Sequence, residues 1–151
     1  MRSAPLRVHG LAAWLLVVGI VIQVFLAGAA LVNLGGSGDF SAHSQFGYTA
    51  VGILALAVLL TAVAARRPGV DIGATFGMLL LYVLQTALPQ FRASIPMIAA
   101  LHPVNAMLLF GLAVWYAWRA TGRGGSGPAG RSPGKTAPHP PPPQSESDSW
   151  T

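Results

Sequence analysis

Residues 11–33 read LAAWLLVVGIVIQVFLAGAALVN, and this stretch decides the fold. It contains no Lys, Arg, Asp or Glu. Its length exceeds the roughly 20 residues with which a helix crosses a hydrocarbon layer of about 30 Å. No water in that layer can pair with backbone N–H and C=O groups, so a crossing segment of this kind must be helical. Working outward from Leu11–Asn33, three more such stretches follow: His43–Ala65, Ile72–Phe91 and Ile98–Trp118. Residues 8–38, 40–65, 72–91 and 93–118 are all free of charge. Over the whole chain 53% of residues are apolar and 9% charged. A soluble domain carries about 25% charged residues, so the composition excludes that class.

The breaks between stretches are marked by turn residues. Asn33 to Asp39 is a Gly-rich loop, and either Asp39 or Ser41 can cap the next helix. Arg66-Arg67-Pro68-Gly69 turns the chain after the second stretch. Pro89, Pro96 and Pro103 cluster between the third and fourth, with Pro103 suited to a first helical turn. The alternative for the first stretch is a cleaved leader. Its apolar run of about 22 residues is too long for an h-region of roughly 7–15.

The expected architecture is an all-α four-helix transmembrane bundle. Arg2, Arg7, Arg66, Arg67, Arg119, Arg123, Arg131 and Lys135 all fall on one side and only Arg92 on the other. The positive-inside rule then places both termini in the cytoplasm. Residues 1–9 are read as a cytoplasmic N-terminus and 10–118 as the membrane domain. Residues 119–151 hold seven of the twelve prolines and are read as a disordered Pro/Gly/Ser-rich tail. The run His139 to Pro143 favours polyproline II, either as a docking ligand or as a solvated tail.

Polar residues inside a span are costly and therefore informative. The first half reads Gln23-x-x-Leu26, a loop, then His43 with Gly47 four residues on. The second reads Gln85-x-x-Leu88, a loop, then His102 with Ala106 four residues on. Two like helix pairs in tandem place His43 and His102 at the same depth, near the outer face. Haem iron takes axial ligands on opposite faces of a flat ring, and imidazole suits it. Bundles build such sites from facing helices. On this reading His43 and His102 are the metal ligands of a haem b. Gly47, Ala50, Ala106 and Phe110 line the slot, and Gln23 and Gln85 donate hydrogen bonds within the bundle. The plainer reading makes the histidines interfacial and the glutamines packing contacts between helices.

Other chemistry lacks its residues. There are no cysteines and no His/Asp/Glu cluster of the kind that holds zinc. No carboxylate falls within the four stretches as drawn, so a proton relay has no acidic member. His9 and His139 lie outside them and are expected to be inert. The basic residues flank the spans, which points to membrane lipids as partners and away from nucleic acid. Another membrane protein or a second copy is the other expected partner. The rival to haem binding is a non-enzymatic scaffold or accessory subunit packed against a larger membrane protein.

The motifs Gln23–Gly28 (Gln-x-x-Leu-Ala-Gly), Ala42–Gly47 (Ala-His-x-x-x-Gly) and Leu101–Ala106 (Leu-His-Pro-x-Asn-Ala) resemble a bacterial family of small four-helix membrane proteins. That family is known as domain of unknown function 6220. The resemblance covers about residues 10–118 and implies architecture, with no established activity; the expected location is a bacterial plasma membrane. The layout is also similar to one half of the haem A synthases, whose paired helices bind haem through histidines. That likeness implies His43 and His102 as the axial pair. The chain departs from it in having one bundle and no acidic residue beside an intramembrane histidine, so haem A synthesis is not implied.

Overall fold

A computed structural model describes residues 3–122. The tail from residue 123 onward lies outside the described residues. Four helices are each long and apolar enough to cross a membrane: Ala4–Ala30, Ser41–Ala64, Gly69–Arg92 and Pro96–Ala120. Among the described residues there is no strand. The chain is thus an all-α, multi-pass membrane protein. The helices alternate in direction around a square, the first and third each packing against the second and fourth. One end of the bundle carries the first residues and the last helix end. The other carries the 31–40 and 93–95 connections and is called here the loop end.

Helix bounds agree with the apolar stretches within a few residues, except at the start. The first helix runs Ser3–Ala30, eight residues earlier than Leu11. Residues 3–10 are helical because their N–H and C=O groups continue the same ladder and because His9 and Gly10 are buried against the other helices. Phe40 stands at the N-cap of the second helix without a side-chain cap, and Asp39, one residue earlier, holds the helix start. Its carboxylate accepts from the Ser41 N–H at 2.8 Å and from the Ser41 hydroxyl at 2.9 Å. The third helix passes into a 3-10 segment at Leu88–Arg92, where Pro89 lies. The fourth is opened by Pro96–Ala99 and is interrupted before Leu101–Ala120. Pro103 sits in the first turn of that last piece and has no N–H for the carbonyl of Ala99.

The core is a stripe on each helix at helical spacing. Ala13, Leu16, Val17 and Ile20 face Val51, Ala55, Val58, Met78, Leu109, Ala113, Tyr116 and Ala117. In lipid such contacts gain little from the hydrophobic effect, because acyl chains are as apolar as leucine. Close packing and the polar layers at the two ends of the bundle therefore hold the helices together. Between Gly47 and Val51 the second helix makes a π turn, which nothing in the composition or periodicity announced.

Candidate functional site

At the loop end each half of the repeat makes the same side-chain pair. His43 Nδ1 lies 3.0 Å from the Gln23 carbonyl, and His102 Nδ1 lies 3.0 Å from the Gln85 carbonyl. A carbonyl only accepts, so each Nδ1 carries the ring proton and each Nε2 keeps its lone pair. That lone pair faces a glutamine amide. Gln23 Nε2 stands 3.3 Å from His43 Nε2, and Gln85 Nε2 stands 3.1 Å from His102 Nε2. The two rings are half-buried and face each other, with centroids 6.3 Å apart and planes at 71°. Two imidazoles that share one ion through Nε2 hold their centres about 6 Å apart, from two metal–nitrogen bonds of about 2 Å plus the rings. The ring separation is of that order, and each Nε2 is directed at the glutamine amide of its own half.

The halves differ in what steadies the glutamine. Asn105 Nδ2 donates to Gln85 Oε1 at 2.6 Å and to the Leu81 carbonyl at 2.9 Å. Gln23 donates its second N–H to the His43 carbonyl at 2.9 Å, and its Oε1 is buried without a partner. Asn105 has no counterpart in the first half, where Phe46 stands three residues after His43.

The expected slot takes a different form. A Cβ at Gly47 lies 2.5 Å from Gln23 Nε2, so the room Gly47 leaves is filled by that amide. The π turn shifts the buried face from Ala50 to Val51, which is 4% exposed. Phe110 points outward at 39% exposure, because eight residues from His102 is about 80° off its face. Ala106 is half-buried on the histidine side.

A second polar layer closes the other end, and sequence reasoning missed it. His9 is fully buried within the first span, which corrects its placement outside the membrane domain. Thr61 Oγ1 donates to the Ala57 carbonyl at 2.7 Å, so it accepts from His9 Nδ1–H at 3.0 Å. His9 Nε2 then accepts the Tyr116 hydroxyl proton at 2.8 Å. Asp71 likewise lies inside the third helix and is 1% exposed, which corrects the expectation of spans without a carboxylate. Arg119 Nε donates to its Oδ1 at 2.8 Å. Arg67 Nη2 approaches its Oδ2 at 2.6 Å as an ion pair whose angles do not make a hydrogen bond. The one available signal was that His9 and Asp71 are 62 residues apart, as are Gln23 and Gln85. The repeat thus puts them at equivalent positions. Among the described residues no group of three or more His, Cys, Asp or Glu side chains is placed to hold a metal.

Neither the curated proteins nor the solved structures hold a match to this chain. Residues 23–92 match the model of the Family of unknown function (DUF6220), and over that segment, which includes Gln23, His43, Gly47 and Gln85, the chain is similar to that family.

Proposed function

We propose that this integral membrane protein is a small b-type haem protein, an electron carrier or haem-handling subunit. His43 and His102 would hold the haem. The observation that carries the reading is the paired imidazoles, each with Nδ1–H on a backbone carbonyl and Nε2 unprotonated, at a ring separation of 6.3 Å. A metal-bound histidine characteristically donates its other N–H in this way, which sets the tautomer and ring orientation. Haem supplies one-electron exchange at such a site. The chain's own residues prepare it. The Gln23 and Gln85 carbonyls hold the rings in one tautomer, and the two glutamine amides satisfy each Nε2 until a ligand replaces them.

The test is the visible spectrum of the full-length protein purified in detergent from haem-replete cells. A six-coordinate, low-spin haem spectrum that is altered or lost in His43→Ala and His102→Ala is expected. A colourless protein overturns the reading. The rival is a scaffold subunit in which the same glutamine–histidine bonds only join helices. Colourless protein with undiminished stability, recovered together with a larger membrane partner, selects it.

A further inference from the structure

The second and fourth helices carry matching buried stripes at different distances from their histidines. Val51, Ala55 and Val58 in one, and Leu109, Ala113 and Tyr116 in the other, are no more than 4% exposed. Both sets run at spacings of four and then three residues. From His102 to Leu109 is seven residues, and from His43 to Val51 is eight. Seven residues of regular helix return to within about 20° of the starting face, whereas eight leave it about 80° away. A regular second helix with Val51 in the core therefore turns His43 off the bundle interior. The π turn at Gly47–Val51 absorbs the odd residue, since such a turn is a local widening of the α-helix. It is what brings His43 opposite His102.

Two contacts hold that turn, and neither has a counterpart in the second half. The Tyr82 hydroxyl donates to the Tyr48 carbonyl, inside the turn, at 3.2 Å. The Gln23 amide fills the space beside Gly47. In the first half Ile20 stands where Tyr82 stands in the second, 62 residues earlier. The fourth helix is regular from Leu101 to Ala120 and its glutamine is locked by Asn105.

We infer that the two histidines are not equivalent: His102 is the fixed member, and the π turn is a register switch through which His43 leaves the pair. When the extra residue passes toward the helix start at Ser41, the intervening segment becomes regular helix. His43 then turns by one residue, about 100°, away from the site. Helix register shifts of this kind are discrete changes on the microsecond-to-millisecond scale. For the ligand the inference rests on the haem reading. The position that His43 vacates takes a small neutral donor, of the class of carbon monoxide or imidazole, while His102 keeps its place.

Deleting Thr49, whose side chain is exposed, tests this. It reduces the spacing from His43 to Val51 to seven, so a regular helix keeps His43 inward with no turn left to move. The full-length wild type, the Thr49 deletion and Tyr82→Phe are compared in lipid nanodiscs. Without haem, amides 44–51 of the wild type are expected to exchange hydrogen at least about tenfold faster than in the deletion, and faster again in Tyr82→Phe. With haem, carbon monoxide is expected to bind the reduced wild type at least about tenfold faster than the deletion. Equal exchange in folded wild type and folded deletion overturns the switch. If the deletion does not fold, unchanged exchange at 44–51 in Tyr82→Phe overturns it. A colourless wild type removes the haem reading alone, and the exchange experiment still judges the switch.

Discussion

The two ends of the bundle each carry a polar layer drawn from all four helices, and they differ in what their histidines bond. At the terminal end Tyr116 donates to His9, His9 to Thr61, and Thr61 to the Ala57 carbonyl. That chain has a fixed direction and stops at backbone, with both His9 nitrogens committed. Beside it Asp71 is ion-paired with Arg67 and Arg119. The loop-end layer is built of glutamine amides and imidazoles. His43 and His102 each spend one nitrogen on a carbonyl and offer the other to a glutamine amide. The terminal layer joins helices through a directed chain and an ion-paired carboxylate, whereas at the loop end each imidazole Nε2 meets only a glutamine amide. A buried histidine is thus no more a ligand candidate than its hydrogen bonds allow.

The largest effect expected from this contrast is on stability at the terminal end. Asp71→Ala leaves the mostly buried Arg67 without its counter-ion and should cost about 3 kcal/mol. Arg119 is half exposed, so its share is small. Denaturant unfolding of the purified protein measures the loss, and a cost below about 1 kcal/mol would mean that this layer is no clamp. The spectrum of the remaining folded protein should not change.

Next in size is the contrast between histidines. His9→Ala strands the fully buried Tyr116 hydroxyl and should cost about 2 kcal/mol while leaving bound haem unaltered. His43→Ala should cost only about 1 kcal/mol and alter the haem spectrum. The reverse assignment of stability and colour would break the comparison. Within the loop end, Asn105→Ala removes the support of Gln85 and should cost about 1 kcal/mol. Amide exchange at 102–110 should then rise toward that of 43–51, making the two halves alike. Unchanged protection there would show that Asn105 does not distinguish them.

The smallest effect concerns the loop. Hydrogen bonds from the Ser41 backbone and hydroxyl hold the Asp39 carboxyl below the ordinary carboxylate range. A group lowered in the folded state adds stability above its unfolded pKa and loses it as pH falls through the folded value. Acidification below the usual carboxylate range should therefore lower the protection of the Ser41 amide relative to its intrinsic exchange rate, and Asp39→Asn should remove that change. Identical acid profiles for the two proteins would show that Asp39 does not hold the start of the helix.

Much of this molecule was legible residue by residue. The Gln-to-His repeat singled out the polar residues of the loop end, though not which of them bond, because a polar residue in a long apolar run has few reasons to be there. The terminal layer was not legible, because His9 and Asp71 sit at the margins of their apolar runs. A hydropathy boundary drawn at the first polar residue cuts them off. The π turn left a trace only in the spacing of eight against seven, which has meaning only once the buried stripe is known.

The amino-acid order by itself determined four helical crossings, their bounds within a few residues apart from the first start, and the repeat that puts one glutamine and one histidine in each half. These follow from local quantities: the length of an apolar run, the cost of unpaired backbone in lipid, and the position of Gly, Pro and Arg. The tertiary structure alone decided which polar groups meet across helices. It brought His9 to Tyr116 and Asp71 to Arg119, aimed His43 at His102 through a π turn, and left Gln23 Oε1 without a partner while Gln85 gained Asn105. The reason is rotational. One residue more or less turns a helix face by about 100°, so facing groups are settled by how the four helices pack together and not by any one of them.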